Sequence, residues 1–203
     1  MADLVPWVFT SGWASGVNAY AVVLVMGLLG RYAGVEAIPL ALQRTDILVG
    51  AAVLYALEFV ADKIPWLDST WDAVHTAIRP ILGAAIGLLL AGDASSVEQA
   101  LAAAAGGLSA LASHAVKAGL RAAINTSPEP ASNIAVSVAE DVTVAGLISL
   151  AVAAPWVAAG IAATLLLAGL VIVVAVASRI RRYRERRRRR AEPLPGRPPA
   201  DTL

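Results

Sequence analysis

The chain has 203 residues, of which 58% are hydrophobic and only 15% are charged, and its mean hydropathy is +0.70. This composition excludes an ordinary soluble domain, which needs far more polar surface at this size. The absence of cysteine excludes disulfides, thiolate metal sites and a cysteine nucleophile. The net charge of +1 hides an asymmetry, because residues 1–178 carry six basic and 12 acidic groups whereas ten basic and three acidic residues follow Ser178.

Six apolar segments are long enough to cross a hydrocarbon core of about 30 Å. In chain order they cover approximately residues 11–30, 46–63, 68–91, 97–123, 133–153 and 155–177. Residues 69–72 and 95–98 have the pattern of capping boxes, which favours helix starts there. We therefore predict an all-α, polytopic transmembrane helix bundle with about six spans. The turn before Pro155 is very short, so a five-span alternative, in which the last two segments form one bent helix, stays open.

A run of basic residues follows the last segment directly, with nine arginines between Arg179 and Arg190. The positive-inside rule then places the C-terminus in the cytoplasm and, with six spans, the N-terminus as well. We predict a multi-pass protein of the bacterial plasma (inner) membrane, with a transmembrane domain over residues 1–178. Residues 179–203 are expected to form a basic, Pro-rich, disordered cytoplasmic tail.

The tail also suggests partners for the protein. Arginines next to a membrane attract anionic lipids, so we expect the segment Arg179–Arg190 to bind them. Binding of nucleic acid is not expected, because the sequence contains no folded module for it. A homo-oligomer is an open alternative.

Charged residues occupy half of the third and fourth segments. The purely apolar part of the third, residues 81–91, covers only about 16 Å. To cross the bilayer it must include Asp72, His75 and Arg79, which are spaced by three and then four residues and share one helical face. The fourth segment repeats these spacings with His114, Lys117 and Arg121. Because consecutive spans run in opposite directions, both charged halves lie at the cytoplasmic level.

Further polar residues fall at a similar depth on the neighbouring segments. The pair Glu140/Asp141 lies roughly 10–12 Å from the cytoplasmic start of the fifth segment. Ionisable groups at such depth usually face the interior of a bundle or a water-filled cavity. We predict a polar cavity that opens to the cytoplasm and ends near Glu140/Asp141. The expected substrate- or ion-binding residues are Glu58, Asp62, Asp72, His75, Arg79, His114, Lys117, Arg121, Asn133, Glu140 and Asp141.

Simpler roles are open for some of these residues. Lys117 and Arg121 could snorkel to anionic headgroups, and His75 and His114 could be ordinary packing residues. Asp72 could only cap a helix. The pair Glu140/Asp141 fits such roles least, because adjacent helical residues point about 100° apart and neither carboxylate suits a lipid-facing position.

Two motifs carry a family resemblance. The first is the run E-F-V-A-D-K-I-P-W-L-D-S-T-W-D from Glu58 to Asp72, followed by His75 and Arg79-Pro80. The second is Ser127-Pro128-Glu129-Pro130, followed by Asn133 and Glu140-Asp141. Together they resemble an uncharacterised bacterial integral membrane family known as domain of unknown function 4126. The resemblance implies a small multi-span membrane protein and supplies no catalytic or binding residues.

Three functions are compatible with these residues. A transporter or channel-like protein for a proton, cation or small solute is favoured by an excess of acids, six against four bases: Glu58, Asp62, Asp68, Asp72, Glu140 and Asp141 against Lys63, Arg79, Lys117 and Arg121. The second is lipid-headgroup handling, as a flippase or an intramembrane enzyme, in which the basic residues hold a phosphate. The third is a scaffold or accessory subunit, which predicts a dry interior where every acid has a basic partner.

Enzymatic chemistry and cofactors are not expected. The sequence has no G-x-S-x-G, H-E-x-x-H or P-loop motif. A divalent cation held by Asp72, His75 and the Glu140/Asp141 pair stays an open alternative, because oxygen and imidazole are suitable ligands.

Overall fold

The computed structural model describes residues 4–124 and 130–191 and contains only helices there. The elements in chain order are α1 (Leu4–Ala33), a 3-10 helix (Leu40–Gln43), α2 (Thr45–Ala61), α3 (Pro65–Ala91), α4 (Ser96–Ile124), α5 (Pro130–Ala153) and α6 (Pro155–Ala191). The all-α prediction is confirmed. Helices α5 and α6 are separate and meet at Ala154, which favours six helices over the bent-helix alternative.

Four of the helices are long and apolar enough to cross a membrane. They cover Leu4–Ala33, Trp66–Ala91, Ala131–Ala153 and Pro155–Arg187. Helix α2 has 17 residues, which at about 1.5 Å per residue is slightly short of the hydrocarbon core, and α4 carries Lys117 and Arg121. Large apolar side chains on the outer surface, such as Val142, Leu167 and Val171, are more than half exposed. The chain is therefore a multi-pass membrane protein, and about six spans fit its helices.

Helix α1 lies at the centre of the bundle. Of its apolar span 72% is buried inside the protein, against 28%, 28% and 22% for the other three spans. A helix that is apolar on all sides is typical of such a central position. The other helices therefore surround α1, and the charged side chains of Arg79, Lys117 and Asp141 contact it from three of them.

Helix α1 is interrupted in its middle. Asn18 has an extended backbone conformation, with φ −151° and ψ 96°, between two helical halves. Its side-chain Oδ1 accepts a hydrogen bond from the backbone N–H of Ala21 at 2.9 Å. This is the bond that an N-cap residue makes, so Asn18 begins the second half of α1.

Small residues bring the backbones of α1, α3 and α4 into contact. A Cβ atom added to Gly16 would meet the carbonyl oxygen of Ala110 and lie 2.8 Å from the backbone nitrogen of His114. Gly83 on α3 likewise lies against the backbone of Gly106 on α4. Close approach through small residues is common between membrane helices, because it increases van der Waals contact.

One of the two expected capping boxes is present. The backbone N–H of Ser95 donates to Glu98 Oε2 at 3.0 Å, and the N–H of Glu98 donates to Ser95 Oγ at 3.4 Å. The prediction of a second capping box, at residues 69–72, is wrong. Helix α3 begins earlier, with Pro65 in its first turn, where the missing N–H of proline is tolerated.

The last helix continues past the expected membrane boundary. Residues 179–191, predicted to be disordered, are helical in α6. Arginine is a good helix former, and Arg181 pairs with Glu185 one turn later at 3.0 Å. The rest of the expected tail, residues 192–203, and residues 127–129 of the second motif lie outside the described residues.

The domain boundary at residue 178 and the cytoplasmic location of the C-terminus stay predictions. The expectation that both termini lie on one side is wrong: Leu4 and Trp7 line a cavity with Ala153 and Pro155 at the start of α6, so the described chain begins and ends at opposite ends of the bundle.

Candidate functional site

The structure brings the predicted site residues of four helices together around the break in α1. We call this group the charge cluster; it comprises Glu58, Asp62, Asp68, Asp72, His75, Arg79, His114, Lys117, Arg121, Asn133, Glu140 and Asp141. All of them except Glu140 and Asp141 are at most 5% exposed. Asp68, which the expected site did not include, is among the fully buried members.

Arg79 on α3 lies at the centre of one half of the charge cluster. Its Nη2 donates to Glu58 Oε1 at 2.6 Å, and its Nη1 donates to the carbonyl oxygen of Gly16 at 3.1 Å. Nη1 also lies 3.2 Å from Asp72 Oδ1 and 2.6 Å from His114 Nδ1. Because a guanidinium can only donate, His114 Nδ1 must accept, so its imidazole is neutral. Arg79 thus joins α1, α2, α3 and α4.

Lys117 on α4 occupies the next position along the break. Its Nζ donates to the carbonyl oxygen of Val17 at 2.9 Å and to Asp62 Oδ2 at 3.0 Å. It also lies 3.6 Å from Glu58 Oε1 and 3.5 Å from Glu140 Oε2. One ammonium group therefore neutralises parts of three carboxylates from α5 and the end of α2.

Arg121, one turn further along α4, connects α5 to the residue after α2. Its Nη2 lies 2.7 Å from Glu140 Oε2 and 3.3 Å from Asp62 Oδ2. Its Nη1 donates to Asn133 Oδ1 at 2.6 Å, and Asn133 Nδ2 donates in turn to the carbonyl oxygen of Asp62 at 2.8 Å. Asn133 is therefore a positioning residue for Arg121, and not an exposed ligand.

The cations stabilise the break in α1. The carbonyls of Gly16 and Val17 end the first half-helix, and Arg79 and Lys117 donate to them. Unpaired backbone groups are costly in a membrane, and non-helical backbone at that depth is tolerated only inside protein or beside a cavity. A cation at the C-terminal end of a helix is also favoured by the helix dipole. The charge cluster and the break are one structural unit.

The two adjacent carboxylates of α5 differ in their partners. Glu140 pairs with Arg121 and Lys117. Asp141 Oδ1 accepts from Asn18 Nδ2 at 3.0 Å, whereas its buried Oδ2 makes no hydrogen bond of standard geometry among the described residues, and the Tyr55 hydroxyl is a polar neighbour of this carboxylate. Within residues 4–124 and 130–191, Asp141 is also the acid of the charge cluster without an ion pair at 4.0 Å or less.

His75 forms a separate aromatic group at the edge of the charge cluster. Its Nδ1 lies 2.8 Å from the carbonyl oxygen of Trp71 and must donate to it, and in the neutral ring Nε2 then accepts from the Tyr20 hydroxyl at 3.0 Å. The ring also stacks on Trp71, with centroids 4.5 Å apart. Both ring nitrogens are occupied. In the described part of the chain, no group of three or more His, Asp and Glu side chains could hold a metal ion.

Acids outnumber bases in this interior. The charge cluster contains six carboxylates and three basic side chains, Arg79, Lys117 and Arg121, which give a net charge of −3 when all nine groups are ionised. Lys63 lies at the margin, with its Nζ 2.7 Å from the carbonyl oxygen of Phe59. Buried charge without compensation is strongly unfavourable. Lys63 offsets part of the surplus by its attraction to Asp141 and Asp62, and the remaining surplus favours uptake of a proton or another cation.

Most of the charged groups are packed against each other, but Asp72 and Arg121 also line a cavity of about 240 Å³ between α3 and α4. That a polar cavity opens to the cytoplasm and ends near Glu140/Asp141 stays a prediction. A different cavity, of about 250 Å³, lies beside the charge cluster between α1, α4, α5 and α6. Its walls are mainly apolar, and Lys117 and Glu140 are its charged residues.

The break in α1 and the groups that contact the charge cluster there are not among the site residues predicted from the sequence. Asn18, Tyr20 and the carbonyls of Gly16 and Val17 all contact charged or imidazole groups. The available signal was the Gly16-Val17-Asn18 sequence, which puts a flexible residue and a polar one in the middle of an otherwise apolar helix.

An apolar helix bundle whose central helix is broken beside buried charges defines a polytopic integral membrane protein. Residues 6–175 match the family model described as Domain of unknown function (DUF4126), and the chain belongs to this family. The resemblance found from the two motifs is thus confirmed, while a bacterial origin stays a prediction. No curated protein and no solved structure gives a significant match.

Proposed function

We propose that the protein moves a proton or small cation across the membrane, as a transporter or channel-like protein, and that Asp141 is the group that takes up the ion. The observation that carries this proposal is the half-buried Asp141 carboxylate, which lies beside the break in α1 and has no basic side chain within 4.0 Å among the described residues. Carboxylates inside membranes mark ion and proton pathways. In transporters, ion sites are typically formed where membrane helices are discontinuous.

The hydrogen bond between Asp141 and Asn18 gives this ion a structural effect. Asn18 uses Nδ2 for Asp141 and Oδ1 for the N–H of Ala21, so the same side chain holds α5 and caps the second half of α1. Neutralising Asp141 weakens the first bond and reduces the negative charge of the charge cluster. Ion uptake would thereby favour one arrangement of the two half-helices over another, which is the coupling that alternating access requires.

The scaffold alternative is supported less well. It requires every buried acid to have a basic partner, and the ion pairs of Glu58, Asp62, Asp72 and Glu140 meet that requirement. Asp141 does not meet it among the described residues. A purely structural network gains nothing from such a carboxylate, because an uncompensated buried charge destabilises the fold.

Replacing Asp141 with asparagine is expected to reduce ion flux at least tenfold and to leave the stability unchanged or raised. The amide keeps the size of the side chain but cannot exchange a proton or neutralise a cation. The test uses proteoliposomes with a trapped indicator selective for the ion under test, in which gradients of protons, Na⁺ and K⁺ are imposed in turn. Asp93→Asn is the matched control, because Asp93 lies in the exposed turn between α3 and α4.

Glu140→Gln should behave differently from Asp141→Asn, because it breaks two ion pairs and lowers stability. The proposal is overturned if Asp141→Asn keeps wild-type flux, or if the wild-type protein moves none of the three ions faster than protein-free vesicles.

We propose further that the C-terminus is cytoplasmic and that the arginines of α6 contact anionic lipids of the inner leaflet. The N-terminal end of α1 then lies on the opposite side, because Leu4 and Val8 pack against Ala91 and Ala94 at the turn between α3 and α4. The natural sequence has no cysteine, so single cysteines can report on sidedness. Cysteine in place of Tyr183 should react with an impermeant maleimide only in inside-out vesicles, and cysteine in place of Ser96 only in right-side-out vesicles. Equal labelling of both in one vesicle type would contradict this topology.

A further inference from the structure

We infer that the cavity between α1, α4, α5 and α6 binds a lipophilic organic cation, whose charge faces Glu140. This inference goes beyond the proposed ion movement, because it concerns a second ligand and a different surface of α5. It rests on the shape, lining and charge of the cavity, and it can be tested by equilibrium binding without any flux.

The walls of the cavity suit an apolar ligand. They are formed by side chains of four helices: Trp13, Val17, Val116, Leu120, Val136, Ala139, Leu165 and Leu166, with Gly169, Ser113 and Thr143 completing the lining. The Thr143 hydroxyl donates to the carbonyl oxygen of Ala139 at 2.7 Å, and the Ser113 hydroxyl donates to that of Trp13 at 2.7 Å. Both hydroxyls are therefore used within the protein. A hydrated ion or sugar would lose its water without replacement there.

The charge that the cavity offers is negative. The Glu140 side chain is 17% exposed, whereas Lys117 and Arg121 are only 2% and 1% exposed. The Lys117 ammonium already donates to Val17 and Asp62, and the Arg121 guanidinium is bound to Glu140, Asp62 and Asn133. A ligand at this end of the cavity therefore meets a carboxylate, with the surplus negative charge of the charge cluster behind it.

This arrangement excludes the opposite charge. A fatty acid or a lipid phosphate would need an available basic group, and the three interior bases are each bound to at least two protein acceptors. An apolar cavity that ends at a partly exposed carboxylate is complementary to a cation with apolar substituents. The lipid-headgroup alternative is accordingly less well supported than binding of a hydrophobic cation.

The test compares two probes of the same shape and opposite charge. Tetraphenylphosphonium and tetraphenylborate are titrated, by isothermal calorimetry or equilibrium dialysis, into the purified full chain in a neutral maltoside detergent. We expect the cation to bind with a Kd at least tenfold lower than that of the anion. Ala139→Phe places a ring in the cavity and should weaken cation binding at least tenfold. Val142→Phe is the matched control, because Val142 is on the same helix, 66% exposed and outside the lining.

Glu140→Gln tests the role of the charge through the ratio of the two Kd values. Removing the carboxylate should bring the Kd values for the two probes within threefold of each other, whereas a change in the shape of the cavity alone would affect both probes alike. If that variant does not fold, Ala139→Phe and its control decide alone. Equal affinity of the wild type for both probes, or unchanged cation binding by Ala139→Phe, overturns the inference. Cation binding without any ion flux would overturn only the proposed transport, and flux without cation binding would overturn only this inference.

Discussion

Replacing Arg79 with leucine is expected to lower the free energy of unfolding by about 3–5 kcal/mol. The side chain is fully buried, and its guanidinium holds Glu58, Asp72, His114 and the carbonyl of Gly16. Leucine leaves two buried carboxylates with less compensation and leaves a carbonyl at the break in α1 without its donor. Denaturation with sodium dodecyl sulfate in mixed micelles, followed by tryptophan fluorescence, measures the change.

Arg44→Leu is the control for Arg79→Leu. Arg44 also makes a short ion pair, at 2.6 Å to Asp46, but its side chain is 66% exposed. Exposed ion pairs contribute little, because water screens them, so no measurable change is expected. Arg79→Lys should fall between the two, since it keeps the charge and loses the planar fork that contacts several partners at once. Equal stability of the two leucine variants would mean that the charge cluster does not hold the bundle together.

The second large effect is expected at Gly16. A methyl group in Gly16→Ala falls on the backbone of Ala110, which cannot rotate away as a flexible side chain can. Helices α1 and α4 must then separate, at a cost of about 1–3 kcal/mol or more. The same movement lengthens the contacts of Arg79 and Lys117 with the broken helix, so the loss should exceed that of an ordinary overpacked site. The same denaturation assay measures it.

Gly50→Ala is the control for Gly16→Ala. Gly50 lies inside α2, and a methyl group there meets no atom within 4 Å. Alanine is the better helix former by about 1 kcal/mol, so this variant should be as stable as the wild type or slightly more stable. If Gly16→Ala were equally well tolerated, the close backbone packing of α1 on α4 would not be present in the membrane.

The helices could be predicted because their apolar blocks are long and are separated by charged or turn-forming residues. The start of α3 and the end of α6 were predicted incorrectly, because in each case a short sequence pattern disagreed with the helix that surrounds or precedes it. Ser69 to Asp72 has the pattern of a capping box, but Pro65 begins α3 one turn earlier. The arginines after Ser178 have the composition of a solvated tail, but they directly follow the helical residues of α6. Extending an existing helix is easier than starting a new one, so these arginines continue α6.

The charge cluster was predictable as a group, because spacings of three and four residues place Asp72, His75 and Arg79 on one face. Its pairing was not predictable. Whether Arg79 reaches Glu58 or Asp62 depends on the rotation of α2 and α3 about their axes, which the sequence pattern does not fix. The difference between Glu140 and Asp141 has the same origin, because it depends on which side of α5 faces α1.

The break at Asn18 could not be inferred from propensity alone. Asparagine inside a helix is only mildly unfavourable, and it often keeps the helical conformation. Here three tertiary contacts determine the break: the bond of Asn18 to Asp141 and the donations by Arg79 and Lys117 to the carbonyls before it. Each of these partners comes from a different helix, so the conformation of α1 is decided only when the bundle has assembled.

In the structure, basic side chains of the charge cluster bind the backbone carbonyls at the break in α1. An experimental structure in lipid nanodiscs, at a resolution that shows backbone carbonyls, tests this arrangement most directly. We expect density for two half-helices that meet at Asn18, with the Arg79 and Lys117 side chains on the carbonyl oxygens of Gly16 and Val17. A continuous α1 through residue 18, or basic side chains extended towards the lipid headgroups, would contradict it.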